Sequence, residues 1–175
     1  LILTPKSPRQ IHLEAARHLV ETMREELDED LRFVGVFVDE PLDFILERFE
    51  ALNLFAVQHH GDPNAVMRVI PPSQVILAKS IRDREDADRL ATERDDLGSV
   101  LTDAFVPGLT GGTGKIFDHA LVKPLFSQRR VFVAGGLNPE NITGIIEALQ
   151  PGPMPYAVDL SSGIEASPGQ KDPPK

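Results

Sequence analysis

Arg130-Val131-Phe132-Val133-Ala134-Gly135-Gly136-Leu137-Asn138-Pro139 opens the stretch that decides the fold, and Tyr156-Ala157-Val158-Asp159-Leu160-Ser161-Ser162-Gly163 closes it. The run from Arg130 to Ala134 is apolar and short, as a buried strand requires. Gly135-Gly136 turns the chain. Asn138 then stands as an N-cap, and Pro139 suits the first helical position, where its missing N–H has no partner to lose. Ile142, Ile145, Ile146 and Leu149 recur at the spacing of one apolar helix stripe. Pro151 and Gly152 stop that helix, residues 156–160 form the next strand, and Ser161-Ser162-Gly163 turns away from it. A strand, a crossover helix and a second strand make a parallel pair, with a glycine-bearing turn at each carboxyl end.

The alternation extends outward over the whole chain. Leu1-Ile2-Leu3-Thr4 reads as the end of a strand, followed by the loop Pro5-Lys6-Ser7-Pro8-Arg9 and a helix face of Leu13, Ala16, Leu19, Val20, Met23 and Leu27. Residues 33–38 are a strand by composition, and Leu42, Ile45, Leu46, Phe49 and Leu52 mark the next helix. Phe55-Ala56-Val57-Gln58 leads into His59-His60-Gly61-Asp62, and Pro63 begins a short helix. Residues 75–79 and 99–103 are strands, the second ending in the carboxylate of Asp103, with a charged helix over 83–93 between them. A long glycine-rich loop, 104–115, precedes a weak helix around Ala120-Leu121-Val122, and the tail beyond Gly163 is turn-rich without a helix pattern.

Apolar strands alternating with amphipathic helices imply a parallel sheet covered by helices. The expectation is an α/β protein: a TIM (β/α)8 barrel, incomplete, with about seven of its eight parallel strands. Residues 1–175 would form a single barrel domain truncated at both ends. A complete barrel of this type takes roughly 250 residues, and its phosphate site lies on the loops after strands seven and eight. The two glycine-bearing turns fall there.

Composition narrows the partners. The chain has 175 residues and a formal net charge of −9 at pH 7, without a stripe of Lys and Arg, which argues against nucleic acid. No apolar run approaches membrane-spanning length, and no leader-like segment opens the sequence. With no cysteine there is no disulfide and no cysteine-based zinc site, which fits a cytoplasmic protein. His59 and His60 are adjacent, but neighbouring strand residues face opposite sides, so no metal site is expected.

Six segments together carry a resemblance to a known family. They are Pro5–Arg9, Val34–Val38, Val57-Gln58-His59-His60-Gly61-Asp62, Gly111-Gly112-Thr113-Gly114-Lys115-Ile116-Phe117-Asp118, Ala134-Gly135-Gly136-Leu137-Asn138-Pro139-Glu140-Asn141 and Val158-Asp159-Leu160-Ser161-Ser162-Gly163-Ile164-Glu165. In this order the chain resembles phosphoribosylanthranilate isomerase, a (β/α)8 enzyme of tryptophan biosynthesis. The resemblance implies an Amadori rearrangement of N-(5-phosphoribosyl)anthranilate to 1-(2-carboxyphenylamino)-1-deoxyribulose 5-phosphate, with no cofactor. A general acid opens the furanose ring to a Schiff base, and a general base then removes the C2 proton.

Asp103 matches the family's acid; by residue type alone it is more simply a cap on the following loop. Arg9 matches the arginine that pairs with the anthranilate carboxylate, for which a guanidinium offers a planar fork. His60 matches the histidine ending the family's fourth strand, where His59 replaces a usual leucine. Phosphate would sit on backbone N–H groups near Gly135, Gly136, Ser161, Ser162 and Gly163, aided by helix N-terminal dipoles. Asp159 matches a residue of the active-site mouth. The family's base is a cysteine on strand one. This sequence begins where the family's second strand would be finishing and contains no cysteine. The alternative expectation is therefore a catalytically silent phosphate-sugar-binding barrel fragment, able to associate through the unfilled strand-one gap.

Overall fold

The computed structural model describes residues 1–27, 31–93, 96–104 and 119–175. The Gly111–Asp118 motif therefore lies outside the described residues. The chain divides into two compact units, Leu1–Leu77 and Ala78–Lys175.

The first unit holds α1 (Leu13–Glu26), β1 (Val34–Phe37), α2 (Leu42–Ala51), β2 (Ala56–His59), the short α3 (Asn64–Met67) and the start of β3 (Val75–Ile81). These strands pair in parallel, with Val36 opposite Gln58 and Gln58 opposite Ile76. The opening residues do pair with β1, but as a single parallel bridge, Ile2 with Val36, rather than a full strand. The Leu3 N–H donates to the Val36 carbonyl at 3.1 Å, and the Val36 N–H to the Leu1 carbonyl at 2.8 Å. The core gathers Leu3, Phe37, Ile45, Leu52, Val57, Val66 and Leu77. On α1 only Ala16 and Val20, one turn apart, are fully covered, while Leu19 and Leu27 face solvent.

The second unit holds α4 (Arg84–Glu93), β4 (Ser99–Ala104), β5 (Arg130–Val133), α5 (Ile142–Ala148) and β6 (Ala157–Val158), followed by β7 (Glu165–Ser167) and β8 (Gln170–Lys171). The weak helix expected near residue 120 is a 3-10 helix over His119–Ser127. Pro124 inside it lacks the N–H that a regular α-helical ladder would use there. Thr102 is in register with Val133, and Val133 with Val158, so β4, β5 and β6 run parallel. Across the chain the strands of the main sheet follow sequence order, β1-β2-β3-β4-β5-β6. Successive βα units produce that order.

The turn-rich tail folds into an antiparallel hairpin, β7 with β8. Pro168 and Gly169 occupy its centre, and Gly169 has φ of 83°, the proline-then-positive-φ order of a type II turn. The stripe expected on α5 buries Leu149, while Ile142, Ile145 and Ile146 are half-buried. Among the described residues no helix is long and apolar enough to cross a membrane.

Candidate active site

Register places the carboxyl ends of β4, β5 and β6 side by side. The Ala134 N–H donates to the Thr102 carbonyl at 2.9 Å, and the Asp159 N–H to the Val133 carbonyl at 2.8 Å. Asp103, Ala134 and Asp159 are therefore the next step beyond the aligned Thr102, Val133 and Val158. Residues in register on parallel strands share a face, so the carboxylates of Asp103 and Asp159 flank Ala134 on one side of the sheet. Two strand spacings separate their backbones, roughly 9–10 Å. Asp103 is half-buried.

Asp159 keeps a solvent-facing side, yet the protein around its carboxyl is dense enough to push its pKa up, with the charge of Lys171 acting in the opposite direction. Desolvation disfavours the charged carboxylate, and the nearby ammonium favours it. Burial wins.

Directly beyond β5, Gly135 and Gly136 have φ of 96° and 71°, a backbone course that a Cβ would strain. Asn138 and Asn141 then cap one another. Each backbone N–H donates to the other's side-chain oxygen at 2.9 Å. This is the reciprocal geometry of a capping box. The Asn141 amide also donates to the Gly136 carbonyl at 2.8 Å, fastening the glycine turn to the helix start. The helical bond from the Ile142 N–H to the Asn138 carbonyl, 3.0 Å, agrees with the expected cap at Asn138, although the regular helix begins at Ile142. At seven residues α5 is short, so individual N–H groups matter here more than a macrodipole.

Beyond β6, the turn at Ser161-Ser162-Gly163 packs directly on the first turn. A Cβ placed on Gly163 would lie 2.0 Å from the Leu137 carbonyl oxygen and 2.9 Å from the Asn138 Cβ. Only glycine allows that approach. The two turns adjacent in the sequence reading are thus joined backbone to backbone, with Ser161 and Ser162 half-buried beside them.

Arg9 and His60 belong to the first unit, each just past the carboxyl end of a paired segment. The Arg9 N–H donates to Ser7 Oγ at 3.1 Å, holding the loop that presents the half-buried guanidinium. Thr4 Oγ1 donates to the Glu40 carboxylate, whose second oxygen accepts the Val38 N–H at 2.8 Å. This ties the opening loop to the loop after β1. The His60 backbone N–H donates to the Phe37 carbonyl at 3.0 Å, and its Nε2 lies 3.1 Å from the Gln58 side-chain nitrogen, a contact that suits a neutral ring. His59 faces the opposite way and is buried, its Nδ1 accepting the Gly61 N–H at 2.9 Å.

Desolvation by the surrounding protein lowers the pKa of both histidines, His59 buried and His60 with one side open to solvent, and the His59 charge adds to the effect on His60. For His59 the nearby Glu40, Asp62 and Asp39 act the other way without overcoming it. A histidine whose folded pKa lies below its unfolded value of about 6.5 contributes full stability above that pH. That stability is lost as the pH falls, because the unfolded chain takes up the proton first. His59→Leu is expected to flatten the loss of thermal stability between neutral pH and pH ~5. An unchanged slope would assign the titration to other groups.

Two residues that hold these turns escaped the sequence reading. Asn141 carried a signal, since it stands three positions after Asn138 at capping-box spacing. Lys171 carried one only through the turn dipeptide Pro168-Gly169, which sets it opposite Glu165 in the hairpin.

Parallel βα units with linked glycine turns at consecutive strand ends, beside two carboxylates, describe an incomplete TIM (β/α)8 barrel built around a small-molecule site. The chain belongs to the N-(5'-phosphoribosyl)anthranilate isomerase family, whose model matches residues 1–175. It is 34% identical to the N-(5'-phosphoribosyl)anthranilate isomerase of Microcystis aeruginosa, an alignment covering 98% of this chain and 79% of that protein. The crystal structure of phosphoribosyl anthranilate isomerase from Thermotoga maritima superposes with a TM-score of 0.81 at 38% identity, over 98% of this chain and 80% of that one. A further solved isomerase, in complex with reduced 1-(o-carboxyphenylamino)-1-deoxyribulose 5-phosphate, is 35% identical with a TM-score of 0.77, covering 98% and 79%.

Proposed function

We infer that this chain carries the isomerase chemistry of its family in tryptophan biosynthesis. It converts N-(5'-phosphoribosyl)anthranilate to 1-(2-carboxyphenylamino)-1-deoxyribulose 5-phosphate in the cytoplasm, with residues 1–175 acting as one barrel domain. The observation that carries this reading is the placement of Asp103 and Asp159 beside the two interlocked turns at Gly135-Gly136 and Ser161–Gly163. The turns offer backbone N–H groups to a phosphate, and the strand-end carboxyl offers a proton at the other end of the sugar.

Asp103 donates its proton to the furanose ring oxygen as the C1–O bond breaks, leaving a protonated Schiff base at C1. Removal of the C2 proton by a base gives the enolamine, which tautomerises to the 2-ketone. The sum is an isomerisation: no electrons leave the molecule and no co-reactant enters. Arg9 takes the anthranilate carboxylate in a two-pronged contact. Glycine at 135, 136 and 163, with Ser161 and Ser162, takes the phosphate. By the resemblance, Asp159 is a residue of the mouth and His60 a substrate-binding residue.

The alternative, a phosphate-sugar-binding barrel without catalysis, draws on one observation: these residues include no cysteine for the base role that the resemblance implies. One experiment separates the two. The full-length protein is incubated with N-(5'-phosphoribosyl)anthranilate, and product is followed by chromatography beside a binding titration with a reduced product analogue. Conversion supports the isomerase; tight binding without conversion supports the silent barrel. Neither binding nor conversion would end both.

A further inference from the structure

The hairpin β7–β8 has no part in the chemistry just described, yet a cation on it is bonded to the turn at Ser161–Gly163. Lys171 stands opposite Glu165 in the ladder. Its Nζ donates to the Ser161 carbonyl at 2.9 Å and to Glu165 Oε1 at 3.2 Å. The Glu165 side chain is only 4% exposed, whereas that of Lys171 is 53% exposed. A carboxylate that deeply covered needs a cationic partner, so Glu165 fixes the ammonium while the ammonium fixes the Ser161 carbonyl. Lys175 donates separately, to the Glu165 backbone carbonyl at 3.1 Å, and touches neither the Lys171 ammonium's bond to Ser161 nor the Glu165 carboxylate.

The peptide between Ser161 and Ser162 is planar and trans, so its C=O and N–H point in opposite directions. A carbonyl held toward Lys171 therefore sends the Ser162 N–H away from the hairpin. Among the described residues the other bond to that carbonyl, from the Ile164 N–H at 3.4 Å, is long and belongs to a single 3-10 turn. Without the lysine, little would keep the peptide plane from rotating. Gly163, immediately following, is already locked against Leu137. We propose that Lys171 is a positioning residue for the phosphate turn, setting the orientation of the Ser161–Ser162 peptide through its bond to the Ser161 carbonyl. The proposal rests on the phosphate reading given above, and it adds the residue that makes that turn a preformed site rather than a mobile loop.

The test uses the full-length protein with inorganic phosphate and the reduced product analogue as probes. Lys171→Met keeps the aliphatic stem and removes the ammonium. Its phosphate dissociation constant is expected to rise about tenfold, the scale of one charge-assisted hydrogen bond. The Michaelis constant should rise in parallel, with kcat within about twofold. Lys171→Arg, which retains charge and donors, should restore most of the affinity. Lys175→Met, which loosens the hairpin without touching Ser161, should leave phosphate binding unchanged. Equal phosphate affinity in wild type and Lys171→Met overturns the proposal, as does an equal loss in Lys175→Met. Should Lys171→Met not fold, amide shifts of the wild-type protein decide. Movement of the Ser162 amide on adding phosphate supports the oriented peptide. Movement of the Gly135 and Gly136 amides without Ser162 overturns it while leaving the phosphate site in place. No movement in either turn removes the phosphate reading itself.

Discussion

Asp103→Asn in the full-length enzyme is expected to lower turnover by a factor of about 100 or more, while binding of the reduced product analogue stays within a few-fold of wild type. Asparagine matches the carboxyl in shape and hydrogen-bonding reach but cannot release a proton to the ring oxygen. Substrate should therefore bind and remain closed. The position gives the test its force: Asp103 is half-buried at the end of β4, one step past Thr102, which is itself fully buried in register with Val133. A side chain fixed by the strand beneath it has little freedom to be replaced by water in a useful geometry. Steady-state kinetics beside an equilibrium titration would read both quantities, and unchanged turnover would take Asp103 out of the mechanism.

The second large effect is expected at Gly163. Alanine there would put a methyl carbon 2.0 Å from the Leu137 carbonyl oxygen, a backbone atom that cannot swing aside as a side chain would. Either the turn after β6 retreats or the Gly135–Asn138 segment does. The cost in stability is of order 1–3 kcal/mol, typical of overpacking a tight site. The larger loss is functional. Two turns that touch in the wild type would be pulled apart, and on the proposed phosphate role phosphate affinity should fall by about tenfold to a hundredfold, one to two hydrogen bonds' worth. Denaturant unfolding beside a phosphate titration would separate the two contributions. An alanine variant that binds phosphate as tightly as wild type would show that the contact between the turns is unrelated to the anion.

Much of this architecture was legible in residue order. The run Arg130–Ala134, the glycine pair, and the isoleucine spacing gave a strand, turn and helix in their observed places, because local periodicity and turn chemistry agree there. Asp103 and Asp159 could be placed at strand ends for the same reason. The hairpin at Glu165–Lys171 was not legible, since strands of two or three residues leave no alternation to read. Nor could the sequence reveal that Gly163 meets Leu137, because that contact depends on how far apart two strand ends lie. His59 and His60 were expected to face opposite sides of their strand, and His59 is a buried ring bonded to its own turn. Adjacency in sequence on a strand is separation in space.

The hairpin also bears on the order in which the protein becomes competent. Its pairing joins residues only six positions apart, Glu165 and Lys171, and the bond from Lys171 to Ser161 spans ten. Contacts this local form in roughly microseconds, well ahead of the pairing of distant strands. The pairing of β4 with β5, by contrast, joins Thr102 to Val133, far apart in the sequence. The support for the anion turn can thus be assembled while the sheet is still searching for its register. A chain refolding from the unfolded state would then carry the support for that turn before it carries a paired sheet.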